Sequence, residues 1–326
     1  MTSWNGLVVS TLRYLKVDAA PGRYELMPGI DLLVGDKAKR KYLNAEFRNV
    51  AGLIEYEHFS SADHLLVGEF EDDFCGKQHS SATVVLFWLV WLDWLLQDSW
   101  LIKDNSIVCE VAFCRVKNRT IEWSKNGLFS KAHTASGDDQ ANVIFTEHDL
   151  VEWNRLSNEV RKKFYSNEKA HISRSSSKEF SRFARFIHFA SFSRRTPDPA
   201  MKISQNCSAL ESLFSTDASE LSHRLSERVA FFLAASGHDA ESTFERMKKC
   251  YGVRSKVTHG THVKLRDDEV ESLSAWMLVI MRDIAMKLIE HDEVYQVLNG
   301  KNDEIDAYFR KLIFCRAAAD TSDVES

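Results

Sequence analysis

The stretch DDEVESLSAWMLVIMRDIAMKLIEH, residues 267–291, decides the fold class of the second half of the chain. Its apolar side chains recur every three or four residues, which is the period of an α-helix that buries one face. The stretch therefore predicts a long helix in an all-α region. The residues of the apolar stripe are Val270, Leu273, Met277, Ile280, Ile284 and Leu288.

The sequence around this stretch, from residue 146 to residue 316, keeps the same helical character. Ser204 is a candidate N-cap for one helix, and Asp217 followed by Glu220 has the form of a capping box for the next. Residues 317–326 form a polar tail that we expect to fray. Besides the long helix, the sequence predicts helices over 147–166, 177–195, 204–214, 217–237, 241–254 and 303–316.

Residues 1–145 differ in composition from the rest. They hold six of the eight tryptophans, in short apolar runs that turn-like clusters separate. The run 107–116 alternates and predicts a strand, whereas 84–100 predicts either a buried helix packed on a sheet or a buried pair of strands. We therefore predict an α+β protein, with an N-terminal mixed α/β domain (1–145) followed by an all-α helical bundle (146–316). Four tryptophans of the first domain are interpreted as core residues, namely Trp88, Trp91, Trp94 and Trp100.

The overall composition excludes several classes of protein. With 326 residues, 44% of them hydrophobic and 27% charged, the chain can bury a core and is not a disordered protein. The net charge of −5 argues against coating nucleic acid by bulk charge, so any such binding needs a local patch. Six cysteines without a CxxC spacing indicate neither a zinc site nor a disulfide framework. The first residues lack the features of a signal peptide, so we expect a cytoplasmic protein.

A basic block lies within this acidic chain. Residues 155–202 contain twelve Lys or Arg and four Asp or Glu. Arg182, Arg185, Arg194 and Arg195 are candidate RNA contacts, because nucleic-acid sites combine cations with aromatic rings. The alternative is that these cations are solvated or face an acidic part of the protein, while the phenylalanines among them, at 180, 183, 186, 189 and 192, form a core stripe.

The segment most informative about chemistry is CYGVRSKVTHG, residues 250–260. It has Arg254 five residues before His259. A guanidinium can hold a phosphate with two hydrogen bonds, and an imidazole can move a proton near pH 7, so the pair suits cleavage of a phosphodiester. The alternative is a helix C-terminus at which cations are favourable and Gly260 ends the helix.

Three segments in order resemble the ApeA-like branch of the HEPN ribonucleases, an all-α superfamily with an Arg-x4–6-His signature. They are residues 198–214, residues 220–230 and residues 251–260, and the resemblance extends over about 174–291. It implies that Arg254 and His259 are a catalytic pair in a homodimer whose two motifs face each other. The implied reaction is a metal-independent attack of the RNA 2′-hydroxyl on the adjacent phosphate, with no cofactor. Such proteins act in anti-phage defence as toxins that cleave RNA.

The resemblance also suggests roles for residues near the pair. Glu211 is a candidate to orient Arg254 across a pair of helices, although a surface carboxylate is the alternative. Lys256 and Tyr251 are candidates to touch phosphate or a base, against a solvated or packing role. Ser255 stands where many relatives have Asn, Asp or His, so a supporting polar group stays open.

Two other functions stay open from the sequence. One is a non-catalytic HEPN module that binds RNA or a partner protein or forms a dimer. The other is a binding protein that acts through residues 1–145. In the ribonuclease hypothesis the first domain senses a trigger, such as one derived from a phage.

Overall fold

The computed structural model describes residues 4–128, 131–137, 141–164, 180–217 and 221–322. The chain divides into two compact units. Unit 1 comprises Met1–Ala132 and Asp139–Asn158, and unit 2 comprises His133–Asp138 and Glu159–Ser326. The first contains a sheet with helices and the second contains helices only, in the described residues, so the expected α+β class is confirmed.

Unit 1 is built on a six-stranded antiparallel sheet. The strands of the unit are β1 (Asn5–Ser10), β2 (Leu15–Asp18), β3 (Gly22–Met27), β4 (Ile30–Val34), β5 (His64–Glu71), β6 (Ala112–Lys117), β7 (Ile121–Asn126) and β8 (Val143–Thr146). The order in the large sheet is β3-β4-β5-β1-β6-β7, while β2 and β8 form a separate parallel pair.

Helices cover both faces of this sheet. They are α1 (Asp36–Arg40), α2 (Ala45–Ala51), α3 (Leu53–Ser61) and α4 (Ser81–Asp98), and α5 (Glu147–Phe164) begins in the same unit. Strand β5 shows the two layers, because successive side chains of a strand point to opposite faces. Leu66 belongs to the apolar cluster that contains α4, whereas Leu65 and Val67 belong to the cluster that contains α2 and α3.

Helix α4 is the core element of unit 1. With the turn that follows, as Ser81–Leu101, it is the one helix of the described residues that is long and apolar enough to cross a membrane. However, 61% of its most apolar window is buried inside the protein. The Trp88 indole is fully buried and donates to the carbonyl of Gly29 at 3.0 Å. This burial is typical of the central helix of a soluble globular unit.

Unit 2 consists of helices around an apolar centre. They are α6 (Arg182–Arg194), α7 (Pro199–Phe214), α8 (Leu221–Ala234), α9 (Ala240–Thr258), α10 (Asp267–Glu290), α11 (Asp292–Leu298) and α12 (Asn302–Ser322). The predicted stripe of α10 is buried at Val270, Met277, Ile280, Ile284 and Leu288. Helix α7 packs against α6, α9 and α10, and is therefore the centre of the bundle.

Several boundaries differ from the sequence-based expectation. Asp198, not Ser204, caps the third predicted helix, because Pro199 occupies the first helical position, where its missing N–H costs nothing. The strand predicted over 107–116 begins only at β6, because before it the amide of Ile107 bonds to the side chain of Asn105 and Val108 forms only an isolated bridge with Arg13.

Other expectations have mixed outcomes. The apolar run at 84–100 is a helix, which confirms the first of its two interpretations. Trp88 and Trp100 are buried as expected, but Trp94 is 40% exposed because it lies on the outer side of α4, so its assignment to the core was wrong. Helix α12 continues to Ser322, beyond the predicted end. Glu220 of the predicted capping box lies outside the described residues.

Candidate functional site

Helices α7 and α9 carry most of the predicted site. Asp239 begins α9 by accepting a hydrogen bond from the amide of Ser242 at 2.7 Å. The helix ends at Thr258, and His259 is its C-cap residue, with its amide bonded to the carbonyl of Ser255. Gly260 follows at φ +64°, which an L side chain rarely adopts, so it ends the helix as the sequence suggested.

Arg254 faces α7 from the last turns of α9. Its Nη2 lies 3.1 Å from Glu211 Oε2, and the two side chains are only 25% and 18% exposed. Its guanidinium carbon is also 5.2 Å from the centre of the Tyr251 ring. The contact between Glu211 and Arg254 that the sequence suggested is thus present, and it fixes the guanidinium between a carboxylate and an aromatic ring.

Glu211 has a second oxygen in an unusual position. Its Oε1 is buried and has no hydrogen-bond partner. A buried acceptor without a donor costs free energy, commonly about 1–3 kcal/mol. Burial raises the pKa of the nearby Tyr251 phenol, and the negative charge of Glu211 raises it further. The phenol therefore stays protonated at neutral pH, close to the Glu211 carboxylate.

A layer of thiols lies one turn earlier on the same two helices. Cys207 precedes Glu211 on α7, and Cys250 precedes Arg254 on α9, by four residues in each case. Both side chains are buried. Burial raises the pKa of Cys250 to about 12 and that of Cys207 well above its ordinary value. Both are neutral at physiological pH, and neither is suited to act as a nucleophile.

His259 is exposed to solvent. It lies five positions after Arg254, which corresponds to about 140° around an ideal helix. In the described part of the chain, no hydrogen bond or ring contact joins the two side chains. One copy of α9 therefore directs Arg254 toward α7 and leaves His259 on another side. Ser255 and Lys256 lie between them, both partly exposed.

An open cavity lies against Tyr251, the aromatic neighbour of Arg254. It has a volume of about 650 Å³ and is lined by Leu221, Ser222 and His223 at the start of α8 together with Tyr251 of α9. Sequence reasoning did not identify Ser222 or His223 as members of a site. Their one signal was membership of the second segment of the family resemblance, which gives no indication that a cavity forms there.

The arginines of the basic block have different surroundings. The Arg182 guanidinium donates to the carbonyls of Ser212 and Ser215 and to the side chain of Asn302. Arg194 is buried, at 4% exposure. Arg185 is partly exposed and Arg195 is exposed. Arg182 and Arg194 are thus used within the fold, which argues against their assignment as RNA contacts, whereas Arg185 and Arg195 stay candidates.

The phenylalanines of this block fit the core interpretation. Phe180, Phe183 and Phe186 are buried, while Phe192 is 43% exposed.

Among the residues that the structure describes, no group of three or more His, Cys, Asp or Glu is arranged to hold a metal ion.

No protein-family model, curated protein or solved structure shows significant similarity to this chain. The resemblance to the HEPN ribonucleases therefore stays an expectation from the three segments quoted above.

Proposed function

We propose that this protein is a metal-independent endoribonuclease of the HEPN type. In this proposal the 2′-hydroxyl of a ribose attacks the adjacent phosphate, and the 5′-oxygen of the next nucleotide leaves. His259 transfers the proton, and Arg254 stabilises the extra negative charge on the phosphate. The products carry a cyclic phosphate, or a 3′-phosphate, on one fragment and a 5′-hydroxyl on the other.

The observation that carries this proposal is the fixed position of Arg254. A guanidinium held by Glu211 and Tyr251 needs little reorganisation when a phosphate arrives. The helix around it is cationic, since residues 246–256 contain five Lys or Arg and no Asp or Glu. Such a segment attracts a polyanion even though the whole chain is acidic.

The proposal includes an assembly and a biological setting. Because Arg254 and His259 lie on different sides of α9, two copies of the helix, one from each subunit of a homodimer, would supply one complete site. We further propose that the protein is cytoplasmic and serves as a toxin or anti-phage effector. Unit 1 would then be the sensor of the activating signal, such as a component derived from a phage.

One observation favours a second candidate function. The ion pair between Arg254 and Glu211 is largely buried, so it also joins α7 to α9, as a purely structural pair would. The second candidate is therefore a non-catalytic HEPN module for RNA binding, protein binding or dimerisation. In that case Arg254 would stabilise the bundle, and His259 would be a surface residue.

Expression in a bacterial host separates the two candidates. We expect the wild type to arrest growth and to leave RNA fragments with 5′-hydroxyl ends, also when the purified protein is assayed in EDTA. Arg254→Ala and His259→Ala should abolish cleavage. The matched controls are Lys264→Ala and His262→Ala, which remove an exposed cation outside the cationic segment and an exposed imidazole nearby. The His259→Ala protein is co-expressed with any trigger that the wild type needs. If it folds and cleaves RNA as well as the wild type does, the proposed enzymatic mechanism is refuted.

A further inference from the structure

The cavity beside Arg254 has no role in the proposed cleavage step. Its volume of about 650 Å³ falls within the range of about 300–1,000 Å³ that is usual for small-ligand sites. It lies at the exposed junction of α8 and α9, and Tyr251 belongs both to its lining and to the surroundings of Arg254. A ligand group in the cavity would therefore be a direct neighbour of a phosphate held at Arg254.

The lining of the cavity is suited to a flat, polar ring. Tyr251 offers an aromatic surface, and Leu221 adds apolar contact. Ser222 and His223 supply a hydroxyl and an imidazole, both able to donate and to accept hydrogen bonds. Single-stranded nucleic acids are commonly recognised in this way, by stacking of a base on an aromatic side chain with hydrogen bonds to the edge of the base.

The charges around the cavity favour a base inside it and a phosphate outside it. The cationic segment 246–256 borders it on α9. A second cavity, of about 280 Å³, shares His223 and extends toward Glu227 and Glu241. These two carboxylates outnumber the one cation that the described residues place there, Lys248, whose ammonium lies 5.3 Å from the ring of the lining residue Phe244, so phosphate is less attracted to the far end. The nucleotide backbone is thus attracted to the side of Arg254, and only an uncharged group is expected to occupy the interior.

Gly252, next to Tyr251, supports the approach of a ligand from solvent. It lies within α9, where glycine costs roughly 1 kcal/mol relative to alanine. A Cβ atom at this position would meet no other atom within 4 Å. The packing of the helix therefore does not require glycine, whereas close approach of another molecule to the backbone would.

We propose that this cavity binds one nucleobase of a single-stranded RNA, stacked on the Tyr251 ring and hydrogen-bonded by Ser222 and His223. The inference rests on the proposed function, because it takes RNA as the ligand. It adds that the protein discriminates among nucleotides next to the cleaved phosphate. The residues that set this preference then lie on α8, outside the Arg-x4-His motif.

The test measures binding of short single-stranded RNA to the full-length chain carrying His259→Ala, so that the probe is not cut. Each probe is paired with the same oligonucleotide lacking its bases. We expect Tyr251→Leu to weaken binding of intact RNA on the order of tenfold more than binding of abasic RNA, which loses only the contact of the Tyr251 ring with Arg254. Tyr251→Phe should bind like its parent, because the ring is retained. Tyr308→Leu, a change of a half-buried tyrosine on α12, is the matched control.

Three results would overturn the inference: equal weakening on intact and abasic RNA, no effect of Tyr251→Leu, or no RNA binding by a folded parent chain. Melting temperatures identify any variant that has lost its fold. If Tyr251→Leu is such a variant, the double substitution Tyr251→Phe with Ser222→Ala tests the same cavity. Failure of the enzyme is separately visible. If the wild type does not cleave RNA but its binding of RNA depends on Tyr251 as expected, the proposed base site stands and the proposed enzymatic activity does not. If the protein cleaves RNA with a sequence preference that does not depend on Tyr251, the proposed enzymatic activity stands and the proposed base site does not.

Discussion

Glu211 holds Arg254 at a cost to the free energy of folding. One of its oxygens accepts the guanidinium, while the other is buried without a hydrogen-bond donor. A carboxylate optimised for stability alone would satisfy both oxygens. The unsatisfied oxygen is understandable if the side chain is held in place to orient Arg254, since strained or unpaired groups are common at functional sites.

A substitution of the single residue Gly252 has a predictable effect on stability. Gly252→Ala should raise the free energy of unfolding by about 0.5–1 kcal/mol, because alanine loses less backbone entropy in a helix and its methyl group meets open space. Thermal unfolding measures this as an increase in Tm. Gly237→Ala is the matched control: its Cβ also meets no atom, but its φ of +92° strains any L side chain, so its Tm should decrease. A decrease for Gly252→Ala equal to that of the control would contradict this account.

At the scale of elements, an ion pair links α12 to α8, beside the hydrogen bond from Arg182 to Asn302. Arg228 of α8 is buried and bonds to the carboxylate of Asp306, which also accepts from Thr216 at 2.8 Å. The same guanidinium lies 5.0 Å from the ring of Phe309. Three elements thus meet at Asp306: the middle of α8, the chain after α7, and α12.

This attachment predicts a dependence of stability on pH. Burial tends to raise the pKa of Asp306, but the hydrogen bonds from Thr216 and Arg228 outweigh it and lower the pKa below its usual 3.8. A carboxylate whose pKa is lowered on folding stabilises the protein above its unfolded pKa, and this contribution is lost as the pH falls through the folded value. Stability should therefore decline below about pH 4.

Asp306→Asn tests this contribution. It should cost on the order of 1 kcal/mol at pH 7, between the values for exposed and buried charged hydrogen bonds, and it should reduce the decline in acid. The measurement is denaturant unfolding at several pH values. Glu271→Gln, at an exposed carboxylate of α10, is the control and should have little effect at any pH. An Asp306→Asn protein with the stability and acid profile of this control would show that the pair contributes nothing.

The helices of unit 2 were largely predictable because their signal is local. The stripe of α10 and the cap of α9 depend only on residues within a few turns. Unit 1 was less predictable for a physical reason. Its sheet pairs β1 with β5 and with β6, so strands distant in sequence are neighbours. The alternation at 107–116 gave the right type of element but not its start, which a side chain outside the run determines.

The candidate site was predictable only in part. The spacing of Arg254 and His259 and the contact with Glu211 follow from one helix and its neighbour, and the family pattern points to them. The cavity depends on how the first turn of α8 lies against Tyr251, which no local pattern encodes. For Arg182 and Arg194 the sequence shows positive charge but not burial, so their use within the fold became visible only in three dimensions.

At the scale of the whole molecule, the proposed site of unit 2 would be incomplete in a single copy. Unit 1 has its own core, with apolar clusters on both faces of its sheet, so it does not depend on the site for its fold. In unit 2, Arg254 is turned toward α7 while His259 is exposed at the end of α9. A symmetric dimer would complete the site if each site combines Arg254 of one subunit with His259 of the other.

Mixing of two inactive variants tests this combination. Arg254→Ala and His259→Ala proteins, each inactive alone, are mixed in equal amounts, exchanged as subunits and assayed for RNA cleavage. Half of the randomly formed dimers are heterodimers, and each has one intact site of two, so we expect about a quarter of the wild-type activity. A protein with both substitutions in one chain, mixed with wild type, controls for exchange. Its heterodimers have no intact site, because each site takes one group from the altered chain. No recovered activity, with exchange demonstrated, would show that each site draws Arg254 and His259 from a single subunit.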